Sequence, residues 1–325
     1  MRNSRRAVFG VWLLSTLLAP LAAMAQSDYP SKVIKIIIPF PAGSGTDTSA
    51  RFVGQLLTQQ TGQTVIVDNK PGANGFIAAQ AAAQAPPDGY TVFVTTMTTQ
   101  AVNPFLFKKL PYDPIKDFQA VSLISKSPML LVMRNTPDQP NSVAELTARA
   151  KSMPGKLTFS SGSTSARIAG ETYKQVAGID LLHVPYKGSP QALTDLLGGR
   201  IDLMFPDLTP SVPLVKDGRL RALAVTGTKR IATLPDVPTM AEAGLPGFDL
   251  VTWSAAYLPA KTPKPIVDRL SELIGKGLST DEARVHYART GSAPSPTSPA
   301  ELEAFTKSEM AKWGRAVKAA GIEPE

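Results

Sequence analysis

Two short stretches hold the residues best suited to grip an anion. Residues 39–51 read PFPAGSGTDTSAR, and residues 160–167 read SSGSTSAR. Each follows an apolar, strand-like run and leads into a helix-like pattern, and both end in T-S-A-R, at Thr48 to Arg51 and at Thr164 to Arg167. The first turn of a helix leaves backbone N–H groups unpaired, and the helix dipole puts partial positive charge there. Glycine lets an anion come close, and Ser or Thr adds hydroxyl donors. Residues 42–47 (Ala42, Gly43, Ser44, Gly45, Thr46, Asp47) and residues 161–165 (Ser161, Gly162, Ser163, Thr164, Ser165) have this chemistry. The two loops are expected to face each other across a cleft. A β-branched residue at Gly43 or Gly162 is then expected to block the ligand without unfolding its domain. The plain alternative is that both loops are strand-to-helix punctuation.

Other chemistry is scarce. Gly43-Ser44-Gly45 is not a dinucleotide fingerprint, because Thr48 stands where the third glycine belongs. A Walker A loop, a G-x-S-x-G elbow, an H-E-x-x-H pair and a close acidic cluster are all missing from the sequence. The two histidines, His183 in a strand-like run and His286 in a late helical pattern, read as packed or solvated. The expectation is a binding protein with no catalytic residue, metal or cofactor. A hydrolase would need a nucleophile with a base in reach, and neither histidine looks well placed for that.

The elements that must position these loops alternate. KVIKIII is a strand, residues 47–60 a helix stopped by Gly62, TVIVDN a strand, KPGANG a turn, residues 76–85 a helix and YTVFVTT a strand. This order predicts parallel pairing with right-handed crossovers. A second run follows: KLTFS, a helix over 165–177, LLHVPY, a helix over 190–197, IDLMF and LRALAVTG. The apolar stretch 121–133, broken by Pro128, reads as a crossing between domains, and VTWSAAYLPA as the return. Helices are predicted near 263–279, 281–289 and 299–319. The predicted fold is α/β, with residues 26–128 and 250–325 forming a discontinuous first domain and 129–249 a second.

Residues 1–25 read as a signal peptide. Arg2, Arg5 and Arg6 precede an apolar run from Ala7 to Leu21, and Ala23-Met24-Ala25 forms a cleavage site that leaves Gln26 first. Ser4-Arg5-Arg6 leaves Sec and twin-arginine export both open. With no cysteine there is no disulfide and no lipoprotein anchor. The expected location is the periplasm. Losing three arginines takes the net charge of the 325-residue chain from +8 to +5, which suits an anionic ligand. No basic run interleaved with aromatics suggests nucleic acid.

Over nearly the whole mature chain the sequence also resembles the substrate-binding receptors of tripartite tricarboxylate transporters, the Bug receptors. YPSKVIKIIIPFPAGSGTDTSAR, VDNKPGANG, PPDGYTVFV, NPFLFKKLPYDPIKDFQAVSLI, PGKLTFSSGS, HVPYKGSPQALTDLLGGRIDLMF, LRALAVTGTKR and LPDVPTMAEAGLPGF carry the resemblance. It implies a two-domain type II periplasmic binding protein, expected to be a monomer, that closes on a small organic carboxylate and delivers it to an inner-membrane permease. A receptor presenting its ligand to a signalling sensor is the alternative role. The resemblance places ligand at Phe40, Pro41 and the residues through Asp47, and at Ser160 through Ser165. Thr95, Thr96, the turn Tyr186-Lys187-Gly188 and Asp207 are secondary candidates. Two departures stand out. Ser44 replaces a glycine of the usual A-G-G, and the usual G-x-G-S/T-x-x-H-L has become Gly162-x-Thr164-Ser165-x-x-Arg167-Ile168.

The two T-S-A-R copies are expected to differ. Arg51 lies four residues after Asp47 and can pair with it on the helix surface. Arg167 stands nearer its helix start, where a cation opposes the dipole, so it is expected to reach the cleft and hold a ligand carboxylate. A solvated surface arginine is the alternative.

Overall fold

The computed structural model describes residues 29–319 and 321–324, so the signal-peptide reading lies outside the described residues. The chain runs β1 (Ile34–Ile38), α1 (Gly45–Thr61), β2 (Val65–Asn69), α2 (Phe76–Ala83) and β3 (Thr91–Thr96). A π-helical stretch (Thr98–Val102) then leads into α3 (Asn103–Leu106). Next come β4 (Phe118–Pro128), β5 (Leu130–Arg134), α4 (Val143–Ser152), β6 (Thr158–Ser161), α5 (Thr164–Ala177) and β7 (Leu182–Pro185). They are followed by α6 (Ser189–Leu197), β8 (Leu203–Met204), α7 (Leu208–Lys216) and β9 (Leu220–Val225). β10 (Val251–Pro259), α8 (Lys264–Leu278), α9 (Asp281–Ala288), β11 (Ala293–Pro294) and α10 (Pro299–Ala319) complete it.

The strands form two sheets, ordered β11-β4-β10-β3-β1-β2 and β7-β6-β8-β5-β9. In the first, β1 pairs in parallel with β2 and β3, while β10 runs antiparallel to β3 and β4. In the second, β6 is parallel to β7 and β8, and β5 is antiparallel to β8 and β9. Both sheets are therefore mixed, because the strands on either side of a crossing enter each sheet from the opposite end. The chain passes between sheets at Met129, where β4 ends and β5 begins, and again between β9 and β10.

The predicted strand and helix positions hold with small shifts. IDLMF contributes only a two-residue strand. The helix α7 was not among the predicted elements, and Pro213 lies inside it. Leu208 and Val212, one turn apart and buried, outweigh the missing N–H of Pro213.

Core packing explains why the cleft walls are firm. α1 and α8 bury Phe52, Val53, Leu56, Leu270 and Ile274 against one face of the first sheet. α6 and α7 bury Leu193, Leu196 and Val212 against the second. A third cluster runs across both sheets through Leu123, Met129, Leu131, Phe159, Trp253 and Trp313. Buried Glu309 anchors α10 there, its Oε2 accepting the indole N–H of Trp253 at 2.8 Å and of Trp313 at 2.9 Å. Replacing Glu309 by Ala strands two buried donors. Glu309→Ala should therefore cost about 2–4 kcal/mol in urea unfolding, whereas an exposed alanine substitution on the same helix, Glu303→Ala, should cost less than about 0.5 kcal/mol.

Candidate functional site

The cleft between the sheets holds two chambers that share Phe40 and Ser163. The first, about 190 Å³, lies against the crossing strands; Gly45, Thr46, Thr96, Ser125, Ser127, Ser163, Ser165, Asp207, Thr252, Ser254, His286 and Arg289 are among its lining residues. The second, about 520 Å³, is lined by Phe40, Gly72, Asn74, Gly75, Thr98, Ser161 to Thr164, Arg167, His183, Tyr186 and Lys187, among others.

At the start of α1 the cap and the preceding loop are held from within the protein. Ser44 caps the helix, its Oγ accepting from the Asp47 N–H at 3.2 Å. The buried Asp47 carboxylate accepts from the Gly43 N–H at 2.9 Å, from Arg51 Nε at 3.1 Å and from Asn69 Nδ2 at 3.0 Å. Asn69 Nδ2 also donates to the Phe40 carbonyl at 3.0 Å. One carboxylate thus ties the loop, α1 and β2 together. Burial alone would raise its pKa, but hydrogen bonds from Arg51, Asn69 and Gly43 and the Arg51 charge outweigh that and hold it below the usual range. Asp47 lines neither chamber. Arg51 pairs with it as expected, while its side chain stays about half exposed.

A second carboxylate reaches α1 from the opposite lobe. Asp207 precedes α7, and its Cβ lies 3.4 Å from where a Cβ on Gly45 would stand. Protein surrounds the Asp207 carboxyl although some of its surface opens on the first chamber, and burial pushes its pKa up to about 6 against a hydrogen bond from Ser189. The α1 loop and the second lobe also touch at Pro41, whose ring packs on Gly188.

The start of α5 is arranged differently. Ser163 caps it, accepting from the Ala166 N–H at 3.3 Å, and there is no acid in its first turn. The second chamber, onto which this end opens, has no Asp or Glu among its described lining residues, but it has Arg167 and Lys187. The two loops are therefore not equivalent. One helix start already faces two carboxylates of the protein, and the other faces a cationic chamber.

Several sequence expectations need correction. Gly43 adopts φ +79°, so a substitution there strains the loop itself. A Cβ on Gly162 would collide with the backbone of Gly188 and Ser189 in its own lobe. Neither position can test ligand approach cleanly, because a larger residue strains the backbone at Gly43 and collides with backbone at Gly162. Ala42, Gly43 and Ser44 line neither chamber, and neither does buried Thr95, whose Oγ1 lies 2.7 Å from Thr99 Oγ1. Ser160 is fully buried beneath the loop and Gly188 packs on Pro41, so these too lie outside the chambers. Thr96 and Asp207 line the first chamber, and Tyr186 and Lys187 the second. Tyr186 also donates to Asp195 at 2.7 Å.

His183 is better placed than the sequence suggested. It stacks on Phe159, lines the second chamber and sits 2.7 Å from Ser161 Oγ through Nε2. Burial, then the charges of Arg167 and Lys174, lower its pKa to about 4, so it is neutral at pH 7. The hydroxyls Ser125, Ser127, Thr252 and Ser254 also escaped sequence reading. Their signal was a period of two on the crossing strands, which brings alternate side chains to one face.

The Asp47 network makes a direct prediction. A depressed native pKa contributes stability above the unfolded-state pKa of about 3.9, and that contribution is lost as pH falls through the native value. Asp47→Ala should therefore cost about 2–3 kcal/mol at pH 7 and much less near pH 2.5, measured by guanidinium unfolding at both. Arg51→Ala should cost less than about 1 kcal/mol, because its side chain is half exposed.

Comparison with known proteins fits this geometry. A family model described as "Tripartite tricarboxylate transporter family receptor" matches residues 49–322. The solved structure of R. palustris Rpa4515 with adipate is 34% identical, with a TM-score of 0.89, covering 92% of this chain and 100% of that one. The periplasmic binding protein BugD is 33% identical, with a TM-score of 0.86, covering 91% of this chain and 100% of that one. MatC from Rhodopseudomonas palustris, with bound malate, is 31% identical, with a TM-score of 0.83 over 89% of this chain and 100% of that one. Two lobes, a cleft with a cationic chamber and a match across most of the length place this chain in the family of tripartite tricarboxylate transporter receptors.

Proposed function

We propose that the protein captures a small organic carboxylate in the second chamber of its cleft and delivers it to a membrane permease of the tripartite tricarboxylate type. The observation that carries this reading is the asymmetry between the two helix starts. Carboxylates Asp47 and Asp207 already stand at the start of α1, so a further anion there meets repulsion. The start of α5 combines the positive end of its helix dipole, Arg167 and Lys187 with a chamber free of acids among its described lining residues. At about 520 Å³ the chamber also falls within the usual range for a small-molecule site, roughly 300–1,000 Å³. Adipate and malate in the relatives supply the ligand class.

In this reading residues 26–128 with 250–325 form one lobe and 129–249 the other, rotating about the two crossings as the ligand enters and leaves. The receptor acts in the periplasm after cleavage behind Ala25. Among the described residues no helix is long and apolar enough to cross a membrane.

The Ser161–His183 pair gives the hydrolase reading one concrete feature. An imidazole whose pKa lies near 4 is a weak general base at neutral pH, which favours the receptor. Turnover of p-nitrophenyl acetate above background that disappears in Ser161→Ala would overturn that preference.

Calorimetry tests the main reading. Wild type should bind at least one of adipate, malate, citrate or acetate. Arg167→Ala should weaken that binding by about 10- to 150-fold, corresponding to a charge-assisted contact of roughly 1.5–3 kcal/mol. Small-angle scattering should show a smaller radius of gyration at saturation. Unchanged affinity in Arg167→Ala would remove the cationic chamber from the site.

A further inference from the structure

The second chamber holds cationic groups from one lobe and a single buried hydroxyl from the other. We propose that Thr98 is the first lobe's hydrogen-bond donor to the anion held at the start of α5, so that a bound carboxylate is gripped from both lobes at once. This rests on the carboxylate-receptor reading.

Residues 95–99 read TTMTT, and the threonines do not fare alike. Thr95 and Thr99 pair with each other at 2.7 Å, and Thr96 Oγ1 accepts from the Thr98 N–H at 3.3 Å. Thr98 is 3% exposed, yet its Oγ1 has no hydrogen-bond partner among the described residues. Buried hydroxyls without partners are uncommon in folded proteins, and each calls for an explanation. Those of Thr136, Ser160 and Thr233 share the condition but line neither chamber of the cleft, whereas Thr98 does line the second. Its backbone lies in the π-helical stretch Thr98–Val102, a rare geometry that recurs at functional sites.

Chemistry narrows the partner. Across the chamber stand Arg167, Lys187 and the Gly162–Thr164 turn, and the two cations have donors only. A hydroxyl can give or accept a hydrogen, but cations on the opposite wall select a ligand rich in acceptors and negative in charge. A carboxylate satisfies all of these groups together, with Thr98 Oγ1 donating. Because Thr98 belongs to the first lobe and α5 to the second, the same ligand would hold the cleft shut.

The test uses full-length mature protein, calorimetry and the panel of adipate, malate, citrate and acetate. Thr98→Val keeps the shape and removes the hydroxyl; Thr98→Ser keeps the hydroxyl. Thr98→Val should weaken the tightest-binding member about tenfold or more, with the ligand-free melting temperature no lower than that of wild type. Thr98→Ser should stay within about threefold of wild type. If Thr98→Val binds as wild type does, this assignment falls and the receptor reading stands. If wild type binds none of the panel, both fall.

Discussion

A helix cannot satisfy the first N–H groups of its own backbone, and the cleft is built around that constraint. Two long helices begin at its walls. For α1 the protein adds acid around the Ser44 cap: the Asp47 carboxylate folded back on the preceding loop at Gly43, and Asp207 brought close to Gly45 from the other lobe. For α5 it supplies only the Ser163 cap in the first turn and leaves the region beyond it free of acids among the described lining residues. Two starts with nearly the same small residues therefore differ in the sign of charge around them, and the cationic chamber lies at the start of α5.

Packing between the lobes follows from the same loops. Pro41 fits against Gly188 because that glycine carries no Cβ, and Asp207 stands in van der Waals reach of Gly45. Gly162 lets the α5 loop lie directly on the backbone of residues 188–189. These glycines serve close approach of protein to protein.

The repeated T-S-A-R shows how position changes the chemistry of one tetrapeptide. Arg51 sits on the outer face of α1 with Asp47 one turn behind it, and the pair closes locally. Arg167 enters α5 one turn from its start, beside His183 and Lys187 on a chamber wall. There burial lowers the pKa of His183, the charges of Arg167 and Lys174 lower it further, and the imidazole stays neutral next to Ser161.

Local sequence alone determined much of this protein. The apolar runs, the helix patterns and the Gly and Pro stops located most strands and helices, since period and capping are local properties. The Asp47–Arg51 pair was legible for the same reason: both residues lie on one helix, four positions apart. The paired loops and the two crossings were also readable as a two-lobed binding protein. What tertiary structure decided was which groups meet across the chain. The sequence could not say that Asp207 would stand at the start of α1, that the buried Thr98 hydroxyl would have no partner among the described residues, or that His183 would reach Ser161. Nor could it rank the two loops, because the sign of the field at a helix start depends on charges delivered from distant segments, and those distances exist only once both sheets have assembled.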